Sequence, residues 1–180
     1  MIIQQDQDVW EHAFALNINS ELQSVRLVGA AVSTSLSLED DREGELEIRI
    51  NFKPGAAKTQ GQGLTFETDF NFRVIDEANN LTNLVAVDCR FEAVYQLRPG
   101  FQPSEVQISA FHGGNVVFNC WTFFREYVQS SVVRMNLPAP TVPLLRLMPK
   151  PPNSVSSKEL KPATVVGAQP KRASSRKRSK

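Results

Sequence analysis

The sequence predicts an α+β fold: a four-stranded antiparallel meander sheet followed by a long C-terminal helix packed on one face. Three observations lead there. Residues 46–97 alternate apolar and polar side chains in three successive runs, the period-two pattern of strands with one buried face. The intervals between the runs are short, which favours antiparallel pairing of consecutive strands. After Arg98-Pro99-Gly100 the period becomes helical, and residues 115–135 carry apolar side chains on two adjacent stripes.

Taken in order, residues 8–18 place Val9, Trp10, Ala13, Phe14 and Leu16 at the spacing of a short amphipathic helix. From Ser24 the chain is rich in small and β-branched residues and reads as the first strand, followed by an Asp-Asp-Arg-Glu-Gly turn. Leu46, Ile48, Ile50 and Phe52 make the second strand, and the segment Pro54–Gly63 reads as a loop. Leu64, Phe66, Phe70 and Phe72 make the third strand, and Asp76–Asn80 a second turn. The fourth alternates from Val85 to Leu97. Ser104 and Gln107 have the spacing of a capping box, so a short helix starts there, and Gly113-Gly114 is expected to break or bend it.

In the main helix, Val117, Trp121, Phe124 and Val128 form one stripe, and Val116, Cys120, Phe123 and Tyr127 a second beside it. A helix that covers one sheet needs an apolar arc of only about 100°. The surplus points to a second covering surface, and another subunit is the economical candidate. Trp121, Phe124, Arg125 and Val128 are therefore expected at an oligomer interface, with Arg125 paired to an acid across it. Pro138 ends the helix, and the proline-rich segment after it reads as extended.

The 180 residues bear a net charge of +1. Residues 151–180 hold eight Lys/Arg and one Glu, a balance of +7, which leaves twelve basic and eighteen acidic residues, −6, in 1–150. We read 1–149 as one domain and 150–180 as a disordered basic tail. Such a tail supports weak, salt-dependent nucleic-acid binding, but it has no aromatics for sequence reading.

Cys89 and Cys120 sit among apolar neighbours and read as free buried thiols of a reducing, cytoplasmic compartment. The N-terminus lacks the pattern of a signal peptide, and no run reaches the roughly 20 apolar residues of a membrane span, so no membrane insertion is expected. Two Cys and two His without metal-site spacing argue against zinc, and no cofactor is expected. His112 next to Gly113 reads as a structural residue. Gly61-Gln62-Gly63 lacks the strand-to-helix context of a nucleotide site. No catalytic constellation assembles, so an enzyme is not expected.

The segment Trp121–Pro140, WTFFREYVQSSVVRMNLPAP, resembles the most recognisable stretch of the SecB family of export chaperones. Arg125-Glu126, Arg134 and Leu137-Pro138 match its Arg-Glu pair, its second arginine and its hydrophobic-Pro ending. Thr122 stands where the family usually has proline, and the acidic tail that docks SecA is replaced by a basic one. The resemblance is to a divergent branch, of the kind that accompanies toxin–antitoxin systems or phage genomes.

It implies an ATP-independent holdase for unfolded clients, an antitoxin or export precursor among them. The assembly implied is a homotetramer whose sheets and long helices pair, and interaction with SecA is doubtful. Candidate client-binding residues are apolar ones without a regular element to bury them: Val28, Ala30 and Val32 on the face of the first strand opposite Leu27 and Ala31, then Phe101, Leu144, Leu145 and Leu147. The alternative is a structural or adaptor protein on the same fold that binds nucleic acid through its tail.

Overall fold

A computed structural model describes residues 1–36, 46–76 and 82–151. The Asp-Asp-Arg-Glu-Gly turn, most of the Asp76–Asn80 turn and all but the start of the tail lie outside the described residues. Ten elements follow in order: β1 (Ile2–Gln5), α1 (Gln7–Asn17), β2 (Ser20–Thr34), β3 (Leu46–Gln60), β4 (Gly63–Asp76), β5 (Thr82–Leu97), α2 (Glu105–Phe111), a π-helical segment (His112–Val116), α3 (Val117–Arg134) and β6 (Arg146–Pro149).

The main sheet is antiparallel and four-stranded, as expected, but its order is β2-β5-β4-β3. The meander is thereby corrected: β3, β4 and β5 are consecutive neighbours, whereas β2 pairs with β5. A meander in chain order would leave β5 at an edge, although its inward face is apolar from Val85 to Leu97. The observed order places β4 and β5, whose inward side chains are buried, in the centre, and the more exposed β2 and β3 at the edges.

The segment expected as a loop, Pro54–Gly63, is largely strand. β3 runs to Gln60 with a bulge between Pro54 and Ala57. Pro54 is tolerated because an edge strand has no partner for one row of its N–H groups. A Cβ on Gly55 would lie 2.9 Å from the Glu67 carbonyl oxygen, so the bulge requires glycine there. A two-residue turn then leads into β4, with Gly61 at φ 59°.

The core lies between the inward sheet face and the helices. Phe66, Phe70 and Phe72 of β4 are fully buried. Phe70 stacks on Phe124 of α3 with ring centroids 4.9 Å apart, and Phe66 meets Tyr95 and Phe111. Trp121, Phe124 and Val128 are 3 %, 0 % and 0 % exposed within the single chain. The sheet and the rest of the chain thus cover these three side chains within one copy of the chain. Cys89 and Cys120 are free and buried, and burial pushes both thiols up to about 12.

Gly113-Gly114 does not break the helix. The Ser104–Gln107 capping box forms as read, with Gln107 N–H on Ser104 Oγ at 3.3 Å and Ser104 N–H on Gln107 Oε1 at 2.9 Å. From there α2, the π segment and α3 continue without interruption to Arg134. The π turn absorbs the glycine pair, and it carries His112 into the interior. The His112 ring lies on Phe66 at 4.8 Å, and its Nε2 is 2.9 Å from the Glu67 carbonyl and 3.2 Å from Thr68 Oγ1. Burial holds its pKa below the ordinary histidine value, against the smaller raising effect of the bond to Glu67.

After α3, Asn136 takes φ 61°, a left-handed cap position that turns the chain back. Residues 138–145 then run as an extended strap along the helix. Trp121 Nε1, Arg125 Nε and Gln129 Nε2 donate to the carbonyls of Pro143, Val142 and Pro140 at 2.9, 3.0 and 3.4 Å. These donors are spaced i, i+4, i+8 and so share one flank. Val142 and Leu145 are buried beneath them. The surplus apolar width of the helix is thus largely covered in cis. Within the chain, Arg125 holds the strap through its Nε. The strap ends in β6, which pairs in parallel with β1, and Lys150 reaches Asp6 at 3.1 Å.

Candidate binding surface along an open sheet edge

α3 touches β5, β4 and β2, but the helix layer does not cover the full width of the sheet. What lies beyond it on the β2 side is set by register. Two irregularities interrupt the β2–β5 pairing, between Leu22 and Ser24 and between Leu27 and Gly29. Each shifts the alternation by one residue. Leu22, Val25, Leu27, Ala30 and Val32 stand opposite Tyr95, Ala93, Phe91, Cys89 and Val87, all of which point into the core. Directly opposed residues share a face. The inward face of β2 is therefore apolar along its length, yet Leu22, Leu27 and Val32 remain 39 %, 41 % and 39 % exposed.

This corrects one detail of the expected client-binding set. Ala30 and Val32 share a face with Leu27 and do not oppose it, because the second irregularity intervenes. Val28 is the residue it leaves without a β5 partner, and it is exposed. All three are accessible apolar residues of β2. The remaining candidates divide. Leu144 is exposed on the strap. Leu145 is buried and belongs to the core, since the strap seats it under α3. Phe101 and Leu147 are half-buried, the first packed against the core and the second in β6 opposite Ile3.

Phe123 adds to this surface. By helical spacing it lies with Cys120 and Tyr127, on the flank of α3 away from the strap-holding donors. Asn119, one turn before Phe123, donates its Nδ2 to the Tyr95 hydroxyl of β5 at 2.8 Å, so this flank faces β5. Phe123 is exposed and Tyr127 half-buried. Sequence reasoning assigned Phe123 to core or interface and missed Leu22 and Leu27. Their exposure depends on where the helix layer stops, which no local pattern records.

The opposite sheet face differs. Arg26–Glu92, Arg90–Asp69 and Arg73–Asp88 pair across strands at 2.6–2.7 Å, and Lys58 reaches Glu67 at 3.5 Å. That face meets water as a mixed-charge ladder. Between Ser24 and Leu36 the only charge is Arg26, which is engaged on the ladder side. The inward strip is therefore both apolar and uncharged. Among the described residues no group of three or more His, Cys, Asp or Glu could hold a metal, and no helix is long and apolar enough to cross a membrane.

No family model and no curated protein matches the sequence. Among solved structures, the chain is similar to the Mycobacterium tuberculosis SecB-like chaperone Rv1957 in complex with a ChAD peptide from the Rv1956 HigA1 antitoxin. The TM-score is 0.66 at 18 % identity, over 77 % of this chain and 99 % of that one. A protein of unknown function from Streptococcus agalactiae aligns over 69 % of this chain and 97 % of that one, but at TM-score 0.39 and 6 % identity the likeness carries no argument. The fold is that of a SecB-like chaperone.

Proposed function

We propose that the chain is a divergent SecB-like chaperone that holds unfolded or aggregation-prone polypeptides without nucleotide. The carrying observation is the uncharged apolar strip of Leu22, Leu27, Ala30 and Val32 beside Phe123, left open on a fold shared with Rv1957. Apolar contact without fixed polar partners suits flexible clients of varied sequence. An antitoxin is a fitting client class, since Rv1957 was solved with a peptide of one.

The same reading includes a homo-oligomer, as the SecB resemblance implies. Of the two sheet edges, β3 carries Pro54, whereas β2 presents fifteen residues without proline. An edge free of proline is the natural place for a second copy to add its sheet. Hand-over to SecA is not part of this reading, because the tail carries the opposite charge. The free thiols fit a reducing, cytoplasmic setting.

The test is suppression of aggregation of a chemically unfolded client, with and without ATP. Wild type should suppress equally in both. Leu27→Asp with Val32→Asp should weaken client binding about tenfold or more, since full burial of such side chains is worth about 1.5–3 kcal/mol each and these are already partly covered. Circular dichroism checks that the doubly substituted chain folds. Undiminished suppression by a folded variant would refute the assignment of the strip. Absence of suppression by wild type, with salt-sensitive nucleic-acid binding through the basic residues of 151–180, would favour the adaptor reading.

A further inference from the structure

A cleft of about 450 Å³ opens between α1 and α2, apart from the strip on β2. Its size is within the range of small-molecule sites, about 300–1,000 Å³. Each helix offers it the same pair, an acid followed by a valine: Asp8-Val9 from α1 and Glu105-Val106 from α2. The valines and Ala110 make an apolar wall, with Val106 57 % exposed. His12 and Ser109 stand beside them, and no Lys or Arg is among the lining residues. Lys150, held beside Gln5 by its N–H bond to the Gln5 carbonyl, already pairs with Asp6 and does not line the cleft.

A second observation is independent of these acids. Gln5 is the only polar side chain of the lining that is buried. Its Nε2 donates to the Ala110 carbonyl at 3.2 Å, which fixes the orientation of the amide. Its Oε1 is then left without a partner among the described residues. A buried acceptor without a donor is destabilising, and a donor entering the cleft would relieve it. The acids have an ordinary explanation, since each stands in the first turn of its helix, where the dipole favours negative charge. That explanation does not account for the Gln5 acceptor.

The lining narrows the ligand. Two carboxylates and no cation disfavour an anion. Asp8, His12 and Glu105 do not make a group able to hold a metal ion. The valines favour a hydrocarbon body. We propose that the cleft binds a small alkyl diammonium compound. One ammonium sits on Asp8, the other on Glu105, the methylene chain lies over Val9 and Val106, and Gln5 Oε1 accepts from one head. An ammonium has three donors and no acceptor, so one head can meet a carboxylate and the amide oxygen together. Binding ties α1 to α2 and weakens with salt, because both carboxylates are exposed. The site rests neither on the strip nor on the holdase reading.

Calorimetric titration of the full-length protein with diaminobutane tests this, at low salt and about pH 8, where an ordinary imidazole is neutral. We expect one site per chain. Butylamine, with a single ammonium, should bind about fivefold more weakly or worse, and butanediol not measurably. Asp8→Asn and Glu105→Gln should each weaken diaminobutane about fivefold, the loss of one exposed ion pair. Glu21→Gln, and Leu27→Asp with Val32→Asp, should leave its affinity unchanged. Hydrogen exchange locates the site: the diamine should slow amides of residues 7–12 and 105–113 and leave 20–34 as they are. Circular dichroism checks that each variant folds. No binding, equal binding of butylamine and diaminobutane, indifference to both acid substitutions, or protection confined to other elements would overturn the proposal. So would a lysine tripeptide with blocked ends that binds as tightly as the diamine, since the cleft would then read a polypeptide side chain.

Discussion

Replacing Arg125 by methionine separates two accounts of this residue. Its Nε donates to the Val142 carbonyl at 3.0 Å, and Val142 is 1 % exposed. A hydrogen bond with one charged partner is worth about 1.5–3 kcal/mol when buried. Arg125 is half-buried, which places it at or below the lower end. The substitution also strands the Val142 carbonyl under the strap. Methionine keeps the alkyl stem that packs on the helix flank, so the loss isolates the polar contact. We expect Arg125→Met to lower the unfolding free energy by about 1–2 kcal/mol, and Tm by about 3–6 °C for a chain of this size.

Urea unfolding measures the loss, and hydrogen exchange at residues 141–146 locates it. Trp121→Phe should act in the same direction, and the two should not add, because both release one strap. Light scattering supplies the control: both proteins should show the same association state at concentrations where both are folded. If Arg125→Met leaves stability and strap exchange at wild-type values but dissociates the oligomer, the arginine pairs across an interface and the strap assignment is wrong.

Two further outcomes follow from the π segment. His112 is held neutral in the folded chain while an unfolded chain titrates near 6.5. The unfolded state therefore binds more protons below that pH. The contribution of His112 is complete above about pH 6.5 and is lost as pH falls through the folded value, with a slope of at most about 1.4 kcal/mol per pH unit. Urea unfolding between pH 7.5 and 5 should show a shallower decline for His112→Gln, and equal slopes would refute a buried neutral imidazole. The two glycines beside it should respond with opposite sign. A Cβ on Gly114 would stand 2.5 Å from Gln5 Nε2, whereas one on Gly113 meets nothing within 4 Å. Thermal unfolding should show Gly114→Ala destabilised by about 1–3 kcal/mol, and Gly113→Ala unchanged or stabilised by up to about 1 kcal/mol.

Much was legible in the sequence because it depends on periods of two and 3.6 residues. The three alternating runs, the capping box at Ser104, the long helix and its stop before Pro138 are local matters, and each appears in the fold. So does the inward set of Phe66, Phe70 and Phe72, since alternation alone assigns a face. The Trp121–Pro140 stretch also carried the SecB resemblance that the fold bears out. The strap clamp was latent in the four-residue spacing of Trp121, Arg125 and Gln129 opposite a proline-rich segment with few N–H donors of its own.

Strand order, register and coverage belong to the tertiary structure. Whether β2 joins β3 or β5 is decided by which strand must be covered on both edges, a property of the whole sheet. The second irregularity in β2 reversed the expected facing of Ala30 and Val32 relative to Leu27, because a one-residue slip turns every later side chain over. The exposure of Leu27 and Phe123, and the burial of Trp121, Phe124, Val128 and Leu145, follow from where α3 and the strap lie. Apolar side chains that will be covered and those that will stay open have the same chemistry. Only the placement of the covering layer distinguishes them.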